Sequence, residues 1–170
     1  MGSYDDQKFT YLKEEKEWLK YAINSNAKIL GICLGSQLIA DAMGGAAFLS
    51  KNIEFGFKNL EFLIDDFLFD DFKNTKVFSW HRDTFNIPPE ATLIAKTEYP
   101  QIYSIKNSLA LQFHPEIKLD LFENWYDSDL SKDELANYDV HSELNYLKDN
   151  SQQLEKTMHN FYNKWIAFKN

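Results

Sequence analysis

One short segment restricts the fold of this chain more than any other: Gly31-Ile32-Cys33-Leu34-Gly35. The apolar stretch at residues 28–32 predicts a β-strand that leads into it. Residues 36–43 have helical character, and Gly44-Gly45 would end that helix. The chain must therefore turn sharply from strand to helix at its single cysteine, a geometry that exposes a side chain at the end of a strand.

A cysteine in such a turn has the features of a nucleophile. The N-terminus of the following helix favours a thiolate over a thiol, and flanking glycines leave room for a strained backbone and for a substrate. The backbone N–H of Leu34 would point to the place where an oxyanion forms. Cys33 is therefore a candidate nucleophile, although a lone cysteine after an apolar strand can also be a small buried hydrophobic residue.

A second segment, Gln112-Phe113-His114-Pro115-Glu116, supplies the other groups that such chemistry needs. It follows a strand predicted at residues 109–113, and it offers a histidine with a carboxylate two residues behind it. His114 would act as general base and then as general acid, with Glu116 holding the imidazole in the right tautomer. The two segments together predict a Cys33–His114–Glu116 triad.

The rest of the pattern mixes helix and strand signals and shows no internal repeat. A first helix, capped by Asp5 or Asp6, is predicted at residues 8–24, and a strand with a bulge or bend near Asn59 lies in the middle of the chain. Further strands are predicted at 77–80, 92–96 and 102–105, with helices at 119–125, from Ser131 in a capping box, and around 154–165. This order predicts an α/β layered fold, with residues 1–125 as one domain and residues 126–170 as a helical extension packed on it.

Composition narrows the class of protein. The chain has 18 basic and 26 acidic residues and no basic cluster, so nucleic acid is not an expected partner. One cysteine excludes an intrachain disulfide and a multi-cysteine zinc site. We expect no metal and no cofactor, because Cys33, His81 and His114 lack zinc-motif spacing. No apolar run is long enough to span a bilayer, so a cytoplasmic location without membrane contact is expected.

The two segments together resemble the class I glutamine amidotransferase family of the triad type. The sequence is most similar to the stand-alone group related to the amidotransferase half of GMP synthase. The likeness extends through residues 53–57, 80–85 and 87–89, and includes a C-terminal helical extension beyond Trp125. The resemblance implies a flavodoxin-like layered sheet with flanking helices, and Arg82 stands where many relatives have glycine.

The resemblance also implies a reaction and a set of roles. Cys33 would attack the side-chain amide of L-glutamine and give a glutamyl thioester and ammonia, and water would then release glutamate. Leu34 would supply one oxyanion donor. Gln37 matches the family position that helps to hold glutamine, and His81 would lie in a loop that borders the site. Ammonia would pass to an unidentified acceptor substrate or partner protein, or would simply be released.

The amino terminus departs from the family's pattern. Family members have a longer region before the nucleophile strand, and it ends in a Gly-Gly-Pro-like loop that supplies the second oxyanion donor. Residues 1–5 resemble the segment that comes after that loop. We therefore expect a parallel sheet that is incomplete on its N-terminal side, an exposed edge that promotes self-association, and weak or absent activity.

Three functions remain open from the sequence. The first is hydrolysis of glutamine. The second is hydrolysis of a γ-glutamyl or peptide bond, because the same Cys-His pair serves both and pocket shape separates them. The third is a catalytically inactive scaffold. Gln37 could also be an ordinary helix surface residue and His81 a loop residue packed by Trp80, and His141 and His159 are interpreted as structural.

Overall fold

The computed structural model describes residues 1–168. Within them the chain forms six α-helices and seven β-strands. The helices are α1 (Tyr11–Asn24), α2 (Leu34–Ala42), α3 (Asp70–Lys73), α4 (Leu119–Tyr126), α5 (Asp129–Glu134) and α6 (Val140–Ala167). The strands are β1 (Leu30–Ile32), β2 (Ala46–Lys58), β3 (Glu61–Phe62), β4 (Val77–Asn86), β5 (Thr92–Lys96), β6 (Pro100–Ile105) and β7 (Ser108–Leu111).

Five of the strands form one open sheet in the order β1-β7-β6-β5-β3, while β2 and β4 form a separate antiparallel ribbon. The pair β1–β7 is parallel and the other pairs of the larger sheet are antiparallel, so the sheet is mixed rather than parallel. Residues 1–168 contain no strand on the other side of β1. The predicted α/β class is confirmed, with an open sheet and flanking helices.

The side chains of the five-stranded sheet alternate between its two faces, and helices pack against both of these faces. On one face, Tyr103 and Ala110 pack with buried residues of α1 and α2. On the other face, Ile102 and Leu111 pack with α3 and with Phe161 of α6. A third cluster joins the β2–β4 ribbon to α4 and α6. The layers therefore meet around three apolar clusters, and α6 contributes to two of them.

The first helix begins later than its sequence pattern predicts. Residues 3–10 form turns, and α1 starts after Thr10, whose side chain makes no capping hydrogen bond. The proposed cap is wrong for a local reason: the Asp5 carboxylate accepts a hydrogen bond from the backbone N–H of Gly2 at 2.8 Å. Asp6 instead pairs with Lys16. The apolar face was predicted correctly, since Leu12, Leu19 and Ile23 are buried.

The β2–β4 ribbon is longer than predicted and contains an irregularity that was not predicted. The chain does break near Asn59, since β2 ends at Lys58 and β3 begins at Glu61, but the register of the ribbon also shifts between Leu49 and Glu54. The Ser50 hydroxyl donates across this irregularity, to the backbone oxygens of Asn52 and Arg82. Because the first half of β2 also pairs with β4, that strand continues past Trp80 to Asn86.

The C-terminal part of the chain is helical, as predicted, but its helix starts differ. Ser128, not Ser131, caps α5, because its hydroxyl accepts the backbone N–H of Ser131 at 3.1 Å. The last helix, α6, has 28 residues and is capped by the carboxylate of Asp139. No helix within residues 1–168 is long and apolar enough to cross a membrane. The proposed division between residues 125 and 126 stays a prediction.

Phe161 tests whether α6 is an integral part of the fold. Its side chain is fully buried against Phe69 and Phe72. Phe161→Ala should lower the free energy of unfolding by about 3–5 kcal/mol, the range for removing a core phenylalanine. Tyr162→Ala, at a neighbouring exposed position, should cost less than about 1 kcal/mol. Urea unfolding measures both, and equal small losses would show that α6 does not dock as described.

Candidate active site

Cys33 stands at the turn between β1 and α2 in a strained conformation. Its φ is 46° and its ψ is −105°, in a region that costs a residue with a side chain about 1–3 kcal/mol. Its N–H donates to the Leu111 oxygen at 2.8 Å, and its own oxygen accepts the Ser36 hydroxyl at 2.6 Å. Tyr103 in turn donates its hydroxyl to the Ser36 oxygen. These bonds hold the turn from both sides and maintain the strain.

The two glycines of the turn have different reasons to be glycine. A Cβ at Gly31 would lie 2.6 Å from the Ile39 side chain and 2.7 Å from the Gly35 oxygen, so close packing of strand and helix requires glycine there. A Cβ at Gly35 would meet nothing within 4 Å. The sequence pattern predicts that both glycines leave room at the turn. Packing within the protein requires a glycine at position 31 but does not require one at position 35.

His114 and Glu116 lie together three to five residues past the end of β7. The N–H of His114 donates to the Phe78 oxygen at 2.8 Å, which ties the segment to β4. Its ring Nδ1 contacts Glu116 Oε1 at 2.7 Å, and the Trp125 ring packs against the imidazole at 4.7 Å between centroids. Because Glu116 occupies Nδ1, Nε2 is the ring nitrogen available for exchange of a proton with a reacting group.

The surroundings of His114 favour its protonated form. Burial opposes the charged imidazolium, but the hydrogen bonds and the charges of Cys33 and Glu116 outweigh it and raise the pKa of His114 to about 10. The His114 side chain is only 11% exposed, so water does not replace these partners. The arrangement can therefore hold a proton on the imidazole next to the sulfur.

A chain of buried amides leads from β4 to the sulfur of Cys33. Gln37 donates to the Asp83 backbone oxygen at 3.2 Å and to Gln112 Oε1 at 3.3 Å. Gln112 points its own amide nitrogen at Cys33 Sγ, 3.8 Å away. Gln37 is thus a buried residue of the site, not a helix surface residue, and Gln112 is a site residue for which the sequence predicts no role.

His81 lies in β4 and not in a loop, and its side chain is almost fully buried. Its Nε2 contacts Glu54 Oε2 at 2.8 Å and its Nδ1 faces the Asp83 oxygen at 3.0 Å. Burial tends to raise the pKa of Glu54, but hydrogen bonds from His81, Thr97 and Gln101 prevail and lower it. Both ring nitrogens are occupied by protein groups, so His81 fixes the wall of the site.

A cleft of about 470 Å³ opens in front of Cys33. Leu34, Gln37 and His81 line its inner side. The outer side is formed by the first residues of the chain and by Leu130 and Glu134 of α5. Nearby, Leu34 begins α2, where the first N–H groups have no partner inside the helix and are available to an oxyanion.

The N-terminal residues are fixed to the rim of this cleft by side-chain hydrogen bonds. Ser3 donates its hydroxyl to Asp41 Oδ2 at 2.7 Å, and Tyr4 donates to Asp83 Oδ1 at 2.9 Å. The sequence predicts no site role for Asp83, Trp125 or Glu134. Cys33 was predictable because the glycine-flanked turn is a local pattern in the sequence. Asp83, Trp125 and Glu134 lie at the site because of the register of β4 and the packing of α4 and α5.

The glutamine amidotransferase class-I family model matches residues 2–129. A GMP synthase [glutamine-hydrolyzing] subunit of Methanothermobacter thermautotrophicus is 30% identical over 127 residues, which are 68% of either chain. The corresponding GMP synthase subunit of Pyrococcus abyssi is 34% identical over 98 residues, 54% of this chain and 52% of its own. GMP synthase of Carboxydothermus hydrogenoformans is 39% identical over 99 residues, 54% of this chain and 19% of its own length. The chain thus spans a fifth to about two thirds of these relatives.

Solved structures give the same picture. A glutamine amidotransferase from Thermotoga maritima superposes with a TM-score of 0.86 and 29% identity, over 99% of this chain and 75% of that one. A glutamine amidotransferase from Methylobacillus flagellatus has a TM-score of 0.76 at 23% identity, over 98% of this chain and 72% of that one, and supports the fold. The chain therefore belongs to the class I glutamine amidotransferase family.

Proposed function

We propose that this chain hydrolyses the side-chain amide of glutamine through Cys33, His114 and Glu116. One observation carries the proposal: Glu116 holds Nδ1 of His114 at 2.7 Å, and the Cys33 thiol acts with Glu116 to raise the pKa of that imidazole. A nucleophile, a base and a carboxylate that orients the base are the parts of a nucleophilic triad. Family membership supports glutamine as the substrate.

In the proposed acylation His114 already holds the proton, in keeping with its raised pKa, and Cys33 reacts as the thiolate. The sulfur attacks the amide carbon, and negative charge on the oxygen is stabilised by the Leu34 N–H at the start of α2. When the tetrahedral intermediate collapses, the carbon–nitrogen bond breaks and His114 gives its proton to the leaving nitrogen. Ammonia and a glutamyl thioester of Cys33 result.

Deacylation uses the same groups in reverse. Neutral His114 removes a proton from water, and the hydroxide adds to the thioester carbon. The carbon–sulfur bond then breaks, glutamate leaves, and Cys33 is again a thiolate beside the protonated His114. We further propose that the ammonia passes to an acceptor on another protein or is released, because the curated relatives are named as GMP synthases or their subunits.

A second candidate function is hydrolysis of a γ-glutamyl or peptide bond. One observation favours it: a second cavity is lined by His114 but not by Cys33, and it is larger than ammonia requires. The third possibility, an inactive scaffold, is an outcome of the experiment below.

Substitution of the nucleophile gives the first test. Cys33→Ala should reduce glutamate release from glutamine by about 10³-fold or more, since no other group can form the thioester. His141→Ala changes an exposed histidine of α6 and should keep the wild-type rate. A diazo-ketone analogue of glutamine should label wild-type protein at Cys33, as read by mass spectrometry. A wild-type chain that releases no glutamate and takes no label would be a scaffold.

The second test concerns the proton on His114. Its imidazole should titrate at about pH 10 by NMR, and Glu116→Gln should lower that pKa because one stabilising charge is lost. Since the pKa in the folded state exceeds the unfolded value of about 6.5, the resulting stabilisation is complete below pH 6.5 and is lost as pH rises through 10. A His114 that titrates near 6.5 would contradict the proposed arrangement.

The third test concerns self-association. We propose that β1, which pairs on one side with β7, offers its other edge to a second copy of the chain. Light scattering should then detect dimers or larger species at micromolar concentration. Ile32→Pro, which removes a backbone donor from this strand, should shift them toward monomer. A wild-type protein that stays monomeric would contradict the proposal.

A further inference from the structure

A second cavity, of about 320 Å³, opens against the ring of His114. It is lined by Trp80, His114, Trp125, Ser131 and Glu134. Cys33 is not among these residues, and His114 does not line the larger cleft in front of Cys33. Of the residues that the structure describes, Glu134 alone lines both. The two cavities therefore both reach Glu134 of α5, and one is lined by Cys33 while the other is lined by His114.

Aromatic rings form most of the wall of this second cavity. The Trp125 ring lies 4.7 Å from the His114 ring and 6.3 Å from the Trp80 ring, edge-on to both. Glu134 is the only acidic residue of the lining, and its charge is already paired. One of its oxygens binds Arg82 at 2.9 Å, and the other accepts the indole N–H of Trp80 at 3.4 Å.

The proposed chemistry determines which part of a substrate meets His114. The imidazole protonates the nitrogen that leaves, so groups attached to that nitrogen lie on the His114 side. A water-sized leaving group such as ammonia occupies about 30 Å³. The cavity is about ten times that volume and has apolar walls, which hydrolysis of glutamine alone does not require.

We propose that this cavity binds the organic group of the amine in a γ-glutamyl amide. The inference rests on the proposed thioester chemistry of Cys33 and names its leaving group. The sulfur replaces the amine at the γ-carbonyl carbon, the carbon–nitrogen bond breaks, and the amine departs with the proton from His114. Water then cleaves the thioester, so the sum is amide plus water giving glutamate and a primary amine.

The lining indicates which amines fit. Two tryptophan rings offer surface to an aromatic or aliphatic group, which gains free energy when it leaves water. The charges of the lining are already engaged, Glu134 with Arg82 and His114 with Glu116, so the cavity offers no free charge to a charged group on the amine. The favoured substrate is therefore the γ-glutamyl amide of an amine with an uncharged apolar group.

Part of the wall comes from outside the region that the family model covers. That model ends at residue 129, whereas Ser131 and Glu134 belong to α5. The cavity thus depends on the C-terminal helices of this chain, and its specificity does not follow from family membership.

The test compares γ-glutamylbenzylamide with glutamine, using glutamate release from each. The wild-type kcat/KM should be about tenfold or more higher for the benzylamide, because the benzyl group is buried. Ser131→Trp fills the cavity and should lower this ratio about tenfold. Lys132→Trp adds the same bulk at the next position of α5, outside the lining, and should leave the ratio unchanged.

Binding to Cys33→Ala protein, measured by calorimetry, provides a readout that does not need turnover. The benzylamide should bind about tenfold tighter than glutamine, and addition of Ser131→Trp should remove the difference. Glutamine cleavage without a preference for the benzylamide, or a Ser131→Trp protein that keeps the preference, would overturn the inference and leave the proposed function intact. If neither amide is cleaved and Cys33 takes no diazo-ketone label, the proposed function fails. If the two amides bind equally to the Cys33→Ala protein, the inference about this cavity is overturned.

Discussion

The parallel pairing of β1 with β7 is the interaction on which the candidate site depends. Ile32 lies opposite Leu111, and the next N–H along the chain, that of Cys33, donates to the Leu111 oxygen. Because the strands are parallel, both chain segments leave the sheet at the same end. Cys33 and His114 therefore emerge side by side although about 80 residues separate them, and a slip of one residue would turn the side chains of β1 to the opposite faces.

The strained turn at Cys33 persists because its neighbours leave it no alternative. Its backbone is bound to β7 on one side and to Ser36 on the other, and Tyr103 fixes Ser36 from the buried face. These hydrogen bonds offset a cost of about 1–3 kcal/mol. The same arrangement places Cys33 at the N-terminus of α2, at the end of the sheet from which the His114 segment also leaves.

Features that depend on local sequence were predictable. The elbow at Cys33 follows from glycines between an apolar strand and a helix, and His114 follows a strand that alternation identifies. Features set by pairing between distant segments were not. His81 was expected in a loop from the family resemblance, yet pairing with β2 keeps it in β4. The side-chain amide of Gln112 contacts the sulfur of Cys33, and Ser128 rather than Ser131 caps α5. No periodic pattern in the sequence predicts either contact.

Docking of the C-terminal helices also shapes the site. No residue of α5 is buried, so this helix is positioned by its flanking contacts: Leu135, which is 2% exposed, and the Glu134 pair with Arg82. Leu135 packs in the cluster that joins the β2–β4 ribbon to α4 and α6. Loosening that cluster would therefore move Glu134, the residue shared by both cavities, and also Trp125, which packs against the His114 ring. Stability in the C-terminal helices and selectivity at the candidate triad are thus physically coupled, while the triad itself depends on the β1–β7 pair.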